Sequence, residues 1–175
     1  CPHCYHTLAK EYPQFGGDFE VVHHSEFLLQ LFQDNRLKIS KGPRGTVTYH
    51  DPCYLGRYNE IFEIPRQLLQ FVPDLNLAEM ERNRERNFCC GAGGGHMWLE
   101  EQKVGERINV MRTEQAMATQ AQMVATACPF CLQMFQDGIK TKEAEESLKV
   151  MDIAEILAES AVYQPYTDPG EQHNA

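Results

Sequence analysis

No run of apolar residues in this chain approaches the roughly 20 that a membrane-crossing helix needs, and no secretory leader opens it. If a membrane matters, it does so through a partner or a segment outside these 175 residues. Positive charge is scarce as well. Sixteen Lys and Arg face 25 Asp and Glu, a net charge of −9, and the only local basic run is Arg82, Arg84 and Arg86. That balance excludes a nucleic-acid phosphate binder, which needs clustered cations. No Met begins the chain: residue 1 is the first Cys of a CxxC, and the expectation is that sequence precedes it. The length suits one domain with a sizeable core.

Cysteine is what the chain has instead. Cys1 and Cys4 form a CxxC, Cys53 sits in His50-Asp51-Pro52-Cys53, Cys89 and Cys90 are adjacent, and Cys128 and Cys131 form a second CxxC. Thirty-five residues separate Cys53 from Cys89 and 37 separate Cys90 from Cys128, so three distant loops can deliver thiols to one place. An iron–sulfur cluster is held in that way. Structural zinc competes, with Cys1, Cys4, Cys128 and Cys131 as ligands, but leaves Cys-Cys-Gly and a fifth cysteine unexplained. Disulfides fit worse, because seven is odd and nothing marks an oxidising compartment.

Successive side chains diverge in a regular helix or strand, so Cys89 and Cys90 can serve one compact centre only where the backbone bends sharply. Gly91-Ala92-Gly93-Gly94-Gly95 supplies that freedom and lets main-chain N–H groups approach sulfur. A phosphate loop is the rival for such glycines, but no Lys followed by Ser or Thr stands where that loop needs it.

Short β-branched and apolar runs alternate with amphipathic stretches. Thr46-Val47-Thr48-Tyr49 is a strand feeding the Asp51-Pro52-Cys53 loop, Met123 to Ala127 is a second ending at Cys128, and Val150-Met151 is a third. Helices are expected with Pro65 in the first turn of one running to about Phe71, over 101–121 with Val104, Ile108 and Met111 as an apolar stripe, from Pro129, and from Asp152 as N-cap through Leu157. The order predicts an α/β fold with a mostly parallel sheet, flanking helices and the cysteine loops beyond the carboxyl ends of the strands. A helix opening at Pro129 also points free N–H groups and its positive end at the thiols.

The beginning resembles the end. Cys1-Pro2-His3-Cys4 leads to Val21-Val22 and Glu26-Phe27-Leu28, as Cys128-Pro129-Phe130-Cys131 leads to Val150-Met151 and Glu155-Ile156-Leu157, offset by 127 residues at the cysteines and 129 at the glutamates. A duplicated protein has this pattern. Residues 1–40 are then the tail of a first repeat, 41–162 a complete second repeat, and 163–175 a disordered tail.

The pattern of a single Cys, a spacer, Cys-Cys-Gly, a similar spacer and Cys-x-x-Cys resembles the cysteine-rich CCG-domain proteins, the family related to heterodisulfide reductase. His50-Asp51-Pro52-Cys53-Tyr54-Leu55-Gly56-Arg57 and Phe88 to Gly95 look closest to the membrane iron–sulfur oxidoreductases linked to electron-transfer flavoprotein. The resemblance implies a [4Fe-4S] cluster on Cys53, Cys89, Cys90, Cys128 and Cys131, either a non-cubane form using all five or a cubane using four. Cys1 and Cys4 would serve a second cluster in a full-length parent and stay idle or exposed here. The implied role is electron transfer within a larger oxidoreductase, from an electron-transfer flavoprotein or flavin dehydrogenase toward a membrane quinone, at the cytoplasmic face. Disulfide reduction at the cluster is the competing activity, and a zinc-stapled structural domain is the third possibility.

Among the other polar residues, His23 and His24 suit a local role between a strand and a helix capped by Ser25. His50 and His96, beside the cysteine loops, are candidates to hydrogen-bond sulfur or carry protons, with simple packing as the alternative. Arg57, Arg107 and Arg112 can offset cluster charge, although helix arginines are usually solvated. Met97 and Trp98 are expected to close the core over the glycine loop.

Overall fold

In the computed structural model of the protein, residues 1–98 and 105–162 are described. Four parallel strands make one sheet in the order β2-β1-β3-β4, with β1 over Gly45–Tyr49, β2 over Leu75–Leu77, β3 over Met123–Thr126 and β4 over Lys149–Asp152. The expected strands are present, and β2, three residues long and too short to announce itself, adds an edge. Parallel neighbours need crossover helices. These are α4 (Glu63–Gln70) from β1 to β2, α5 (Ile108–Met117) from β2 to β3 and α6 (Pro129–Thr141) from β3 to β4.

Side-chain alternation sends Val47, Tyr49, Met123 and Ala125 to one face, where they pack with Leu68 and Leu69 of α4 and with Ile153, Ile156 and Leu157 of α7 (Ile153–Ser160). Val124 faces the other way, onto Ala116 of α5 and Phe135 and Ile139 of α6. Both faces are covered, so the central strands carry the burial, β3 throughout and β1 over Val47, Thr48 and Tyr49, as a parallel sheet requires.

Chain order also fixes where a site can form. From β1 the chain moves to β2 on one side, then returns past β1 to β3 on the other, so the connections diverge between β1 and β3. Ligands bind at that crevice, beyond the carboxyl ends of the diverging strands.

The amino-terminal segment packs beside this sheet. α1 (Pro2–His6) lies against α3 (Cys53–Gly56), and α2 (His24–Gln33) lies against α4 and α7. α2 and α7 open on the same device: the N-cap side chain, His23 or Asp152, accepts a backbone N–H, and the N3 glutamate, Glu26 or Glu155, accepts the N-cap N–H. The two caps are neighbours, with His24 Nε2 3.4 Å from Asp152 Oδ1.

Several expectations are corrected. Ser25 is not the cap of α2; it is the second helical residue, and His23 holds the N-cap position. Val21-Val22 is not a strand, because it pairs with no other strand among the described residues. Ile108 and Met111 of the predicted stripe point outward at 47% and 39% exposure, while Asn109, Val110, Arg112, Thr113 and Ala116 form the inner face of α5. Val104 and the proposed tail 163–175 lie outside the described residues.

Candidate metal centre

Each cysteine group arrives from a different element. β1 ends at Tyr49, and the chain leaves the sheet through His50, Asp51 and Pro52 to place Cys53 at the first position of α3. β3, its neighbour, ends at Thr126, so Cys128 stands just beyond the same edge as N-cap of α6. Pro129 fits the first helical turn, where its missing N–H costs nothing. Cys131 then lies one turn in, on the same side as Cys128. Cys89 and Cys90 come from the loop between β2 and α5, and the bend that brings both inward is at Gly91. Its φ of +92° is open to glycine, and a Cβ there would press on Ile108 Cβ at 3.3 Å.

These placements bring five thiols together so that each perturbs the next, Cys53 with Cys89, Cys89 with Cys90, Cys90 with Cys131 and Cys131 with Cys128. Cys90, Cys128 and Cys131 are buried, and Cys53 and Cys89 are half-buried. Crowding splits their proton affinities. Hydrogen bonds from Cys53 and Cys90 hold Cys89 far below the usual thiol range, helped by the Gly91 N–H 3.3 Å from its sulfur. Its partner Cys53 is pushed far above it, first by that shared bond and then by burial. Cys131 lowers Cys128 to about 7, with the Phe130 and Cys131 N–H groups assisting, and Cys131 is raised in exchange. Cys90 is drawn down by Cys131 but ends near 12, because Cys89 and burial act more strongly together. Negative charges this close cannot all form without a cation among them.

The donor set therefore suits a thiophilic metal centre that turns every thiol into a thiolate. Buried polar groups around it also await an acceptor. His50, fully buried, receives Arg112 Nε–H on Nδ1 at 3.1 Å, while His50 Nε2 and one Arg112 terminal nitrogen have no hydrogen-bond partner among the described residues. A ring nitrogen of His50 and the sulfurs of Cys90 and Cys131 lie within 4.8 Å of one another.

A buried ion-pair network holds the Cys53 loop. Arg66, 2% exposed, donates to both Asp51 carboxylate oxygens at 2.7 and 3.0 Å and to Glu79 at 2.6 and 3.0 Å. The Arg84 N–H donates to Asp51, the Asn87 amide to the Asp51 carbonyl, and Arg57 to the Asn87 carbonyl. Sequence inspection missed Arg66; its one signal was a cation on the face of α4 that otherwise reads Leu68 and Leu69. Arg112, named as able to offset cluster charge with solvation as the alternative, is fully buried.

Cys1 and Cys4 stay outside the thiol chain. Cys4 is exposed and Cys1 half-buried, on the wall of a cavity of about 610 Å³. His3, between them, lies tilted against Tyr54 with ring centroids 4.1 Å apart and meets Phe130 edge-on at 5.2 Å, so an aromatic wedge lies between the two CxxC motifs. His96 is exposed, and so is Trp98, at 78%, which therefore does not close the core; Met97 is partly buried against Cys90, Cys128 and Cys131.

Known proteins resemble this chain over most of its length. The chain is 49% identical over 161 residues to the "Probable iron-sulfur-binding oxidoreductase FadF" of Bacillus subtilis, covering 92% of this chain and 23% of that protein. It is 48% identical over 163 residues to the "EtfAB:quinone oxidoreductase" of Syntrophomonas wolfei, covering 90% and 23%. A component of the dihydromethanophenazine:CoB–CoM heterodisulfide reductase of Methanosarcina mazei is 36% identical over 164 residues, covering 91% and 39%. The chain thus spans about a quarter of the length of the first two relatives. Residues 47–136, from β1 into α6, match the cysteine-rich domain called CCG, and the chain belongs to that family.

Proposed function

We propose that this chain is an iron–sulfur electron-transfer module of a larger oxidoreductase, with Cys53, Cys89, Cys90, Cys128 and Cys131 as ligands to a [4Fe-4S] cluster. The observation that carries the reading is the convergence of five thiols at the switch point of the sheet, where crowding raises the pKa of Cys53, Cys90 and Cys131 and lowers that of Cys89 and Cys128. When bound, such a cluster takes up and releases single electrons by changing iron valence. The protein's own part is to hold the sulfurs and to screen them. Main-chain N–H groups of Gly91, Ala92, Phe130 and Cys131 point at sulfur and favour its negative charge. A non-cubane cluster would use all five cysteines, and a cubane would leave one spare.

The names of the relatives support a flavoprotein donor and a quinone acceptor. No helix among the described residues is long and apolar enough to cross a membrane, so contact with a quinone pool at the cytoplasmic face would run through other parts of the protein. The matching capping boxes of α2 and α7, with N-caps 129 residues apart, support residues 1–40 as the tail of one repeat and 41–162 as a second.

Disulfide reduction is the weaker reading. A cavity of about 300 Å³ opens beside the glycine loop, but its walls are His3, Tyr54, Ala92, Gly93, Gly95, Met97, Trp98 and Phe130, with none of the five cysteines. A disulfide held there would meet no thiolate of the centre. Low-temperature EPR of dithionite-reduced and reoxidised protein, with and without added thiol, tests the relay. A signal that cycles with redox state and ignores thiol is expected, and one that changes on thiol binding would favour disulfide chemistry.

A further inference from the structure

We infer that His50 and Arg112 form a built-in hydrogen-bond couple in which Arg112 fixes the His50 tautomer so that the Nε2–H donates to sulfur at Cys90 and Cys131. This rests on the cluster proposed above. A guanidinium has only N–H groups to offer, so His50 Nδ1, which receives Arg112 Nε at 3.1 Å, must be the lone-pair nitrogen. A neutral imidazole then carries its proton on Nε2. That nitrogen is buried with no hydrogen-bond partner, sulfur included, among the described residues, and a ring nitrogen of His50 lies within 4.8 Å of both the Cys90 and Cys131 sulfurs. A buried donor left unpaired is costly, so an acceptor at this position is the economical assignment. The acceptor that a cluster held at Cys90 and Cys131 would bring to it is sulfur.

Arg112 is itself locked. Its Nη1 donates to the Arg82 carbonyl at 2.9 Å and to Gln115 Oε1 at 2.7 Å, and the side chain is fully buried. It acts on the centre through His50 and through its charge, which Cys131 and Cys90 both feel. Arg112 is therefore a positioning residue and His50 the donor. An N–H pointing at sulfur stabilises the more negative, reduced state of a cluster and raises its potential.

The test is an EPR-monitored redox titration of anaerobically prepared cluster-loaded protein as wild type, His50→Leu, His50→Gln and Arg112→Met, with pulsed EPR of protein labelled with 15N-histidine. Iron per chain is measured for each sample, so a wild type without iron defeats the cluster assignment and leaves the couple as a separate matter of fold. With iron present, His50→Leu is expected to disfavour reduction at least tenfold, a downward shift of about 59 mV for a one-electron couple. His50→Gln, which keeps a side-chain N–H, should recover part of that shift. Arg112→Met should lower the potential while the iron content holds. Wild type should show a weak histidine 15N coupling that Leu abolishes. Equal potentials in wild type and His50→Leu, or a strong coupling that marks His50 as a direct metal ligand, would overturn the inference. If His50→Leu fails to load, the wild-type coupling decides alone: weak coupling supports the couple and none refutes it.

Discussion

Asp51 gives the residue scale its sharpest test, because its carboxylate accepts from Arg66 and the Arg84 N–H while its main-chain carbonyl accepts from the Asn87 amide. Arg66→Met leaves that carboxylate buried beside Cys53 without its cation. Loss of one partner of such a pair costs about 3–5 kcal/mol, which denaturant unfolding of the wild type and variant would measure. His23 sets a pH dependence. Burial, then His24, lowers its pKa from 6.5 to about 3, so between those values the unfolded chain binds a proton that the folded chain refuses. Its stability contribution is complete above pH 6.5 and is lost as pH falls toward 3, with a slope approaching about 1.4 kcal/mol per pH unit. His23→Asn keeps an N-cap side chain and should flatten that slope by one proton, read from unfolding free energies across the acid range. The cysteines were legible as chemistry because their order is improbable by chance. Arg66, the burial of Arg112 and the tautomer of His50 were not, since nothing local distinguishes a buried arginine from a solvated one.

α5 and α6 show at the element scale why periodicity misled. The apolar stripe Ile108 and Met111 faces outward, and Asn109 and Thr113 turn inward to bond the neighbouring backbone: the Asn109 amide reaches the Met134 carbonyl at 3.1 Å and the Thr113 hydroxyl the Asn109 carbonyl at 2.8 Å. The helices approach so closely that Gly138 of α6 has no room for a methyl group, which would collide with the Thr113 hydroxyl and lie 3.0 Å from the Asn109 carbonyl. Gly138→Ala is expected to destabilise the protein by about 1–3 kcal/mol. Thr113→Ala should restore part of that loss when the two changes are combined, a coupling that a double-mutant cycle of thermal or denaturant unfolding reads directly. Elements with strong local chemistry were foreseen: β1 and β3 from β-branched runs, α6 from Pro129 and α7 from Asp152. β2 and the His23 cap were missed, because three polar-apolar residues and a histidine cap carry little local signal.

For the whole molecule, strand order brings Cys53 and Cys128 to one crevice, and no local pattern shows that order. Sequence suggested that the thiols meet, while only the 2-1-3-4 arrangement explains where. The same crowding predicts proton release. Cys53, Cys90 and Cys131 hold their protons above the usual thiol range, so reconstitution that makes them thiolates should acidify an unbuffered solution and weaken as pH falls. The most direct test is iron, zinc and acid-labile sulfide per chain in protein prepared without air, compared with Cys90→Ser and with Cys1→Ser. About four irons and about four sulfides, lost in Cys90→Ser and kept in Cys1→Ser, are the predicted result. Stoichiometric zinc with no sulfide in the unoxidised wild type would contradict the account and leave a structural domain in its place.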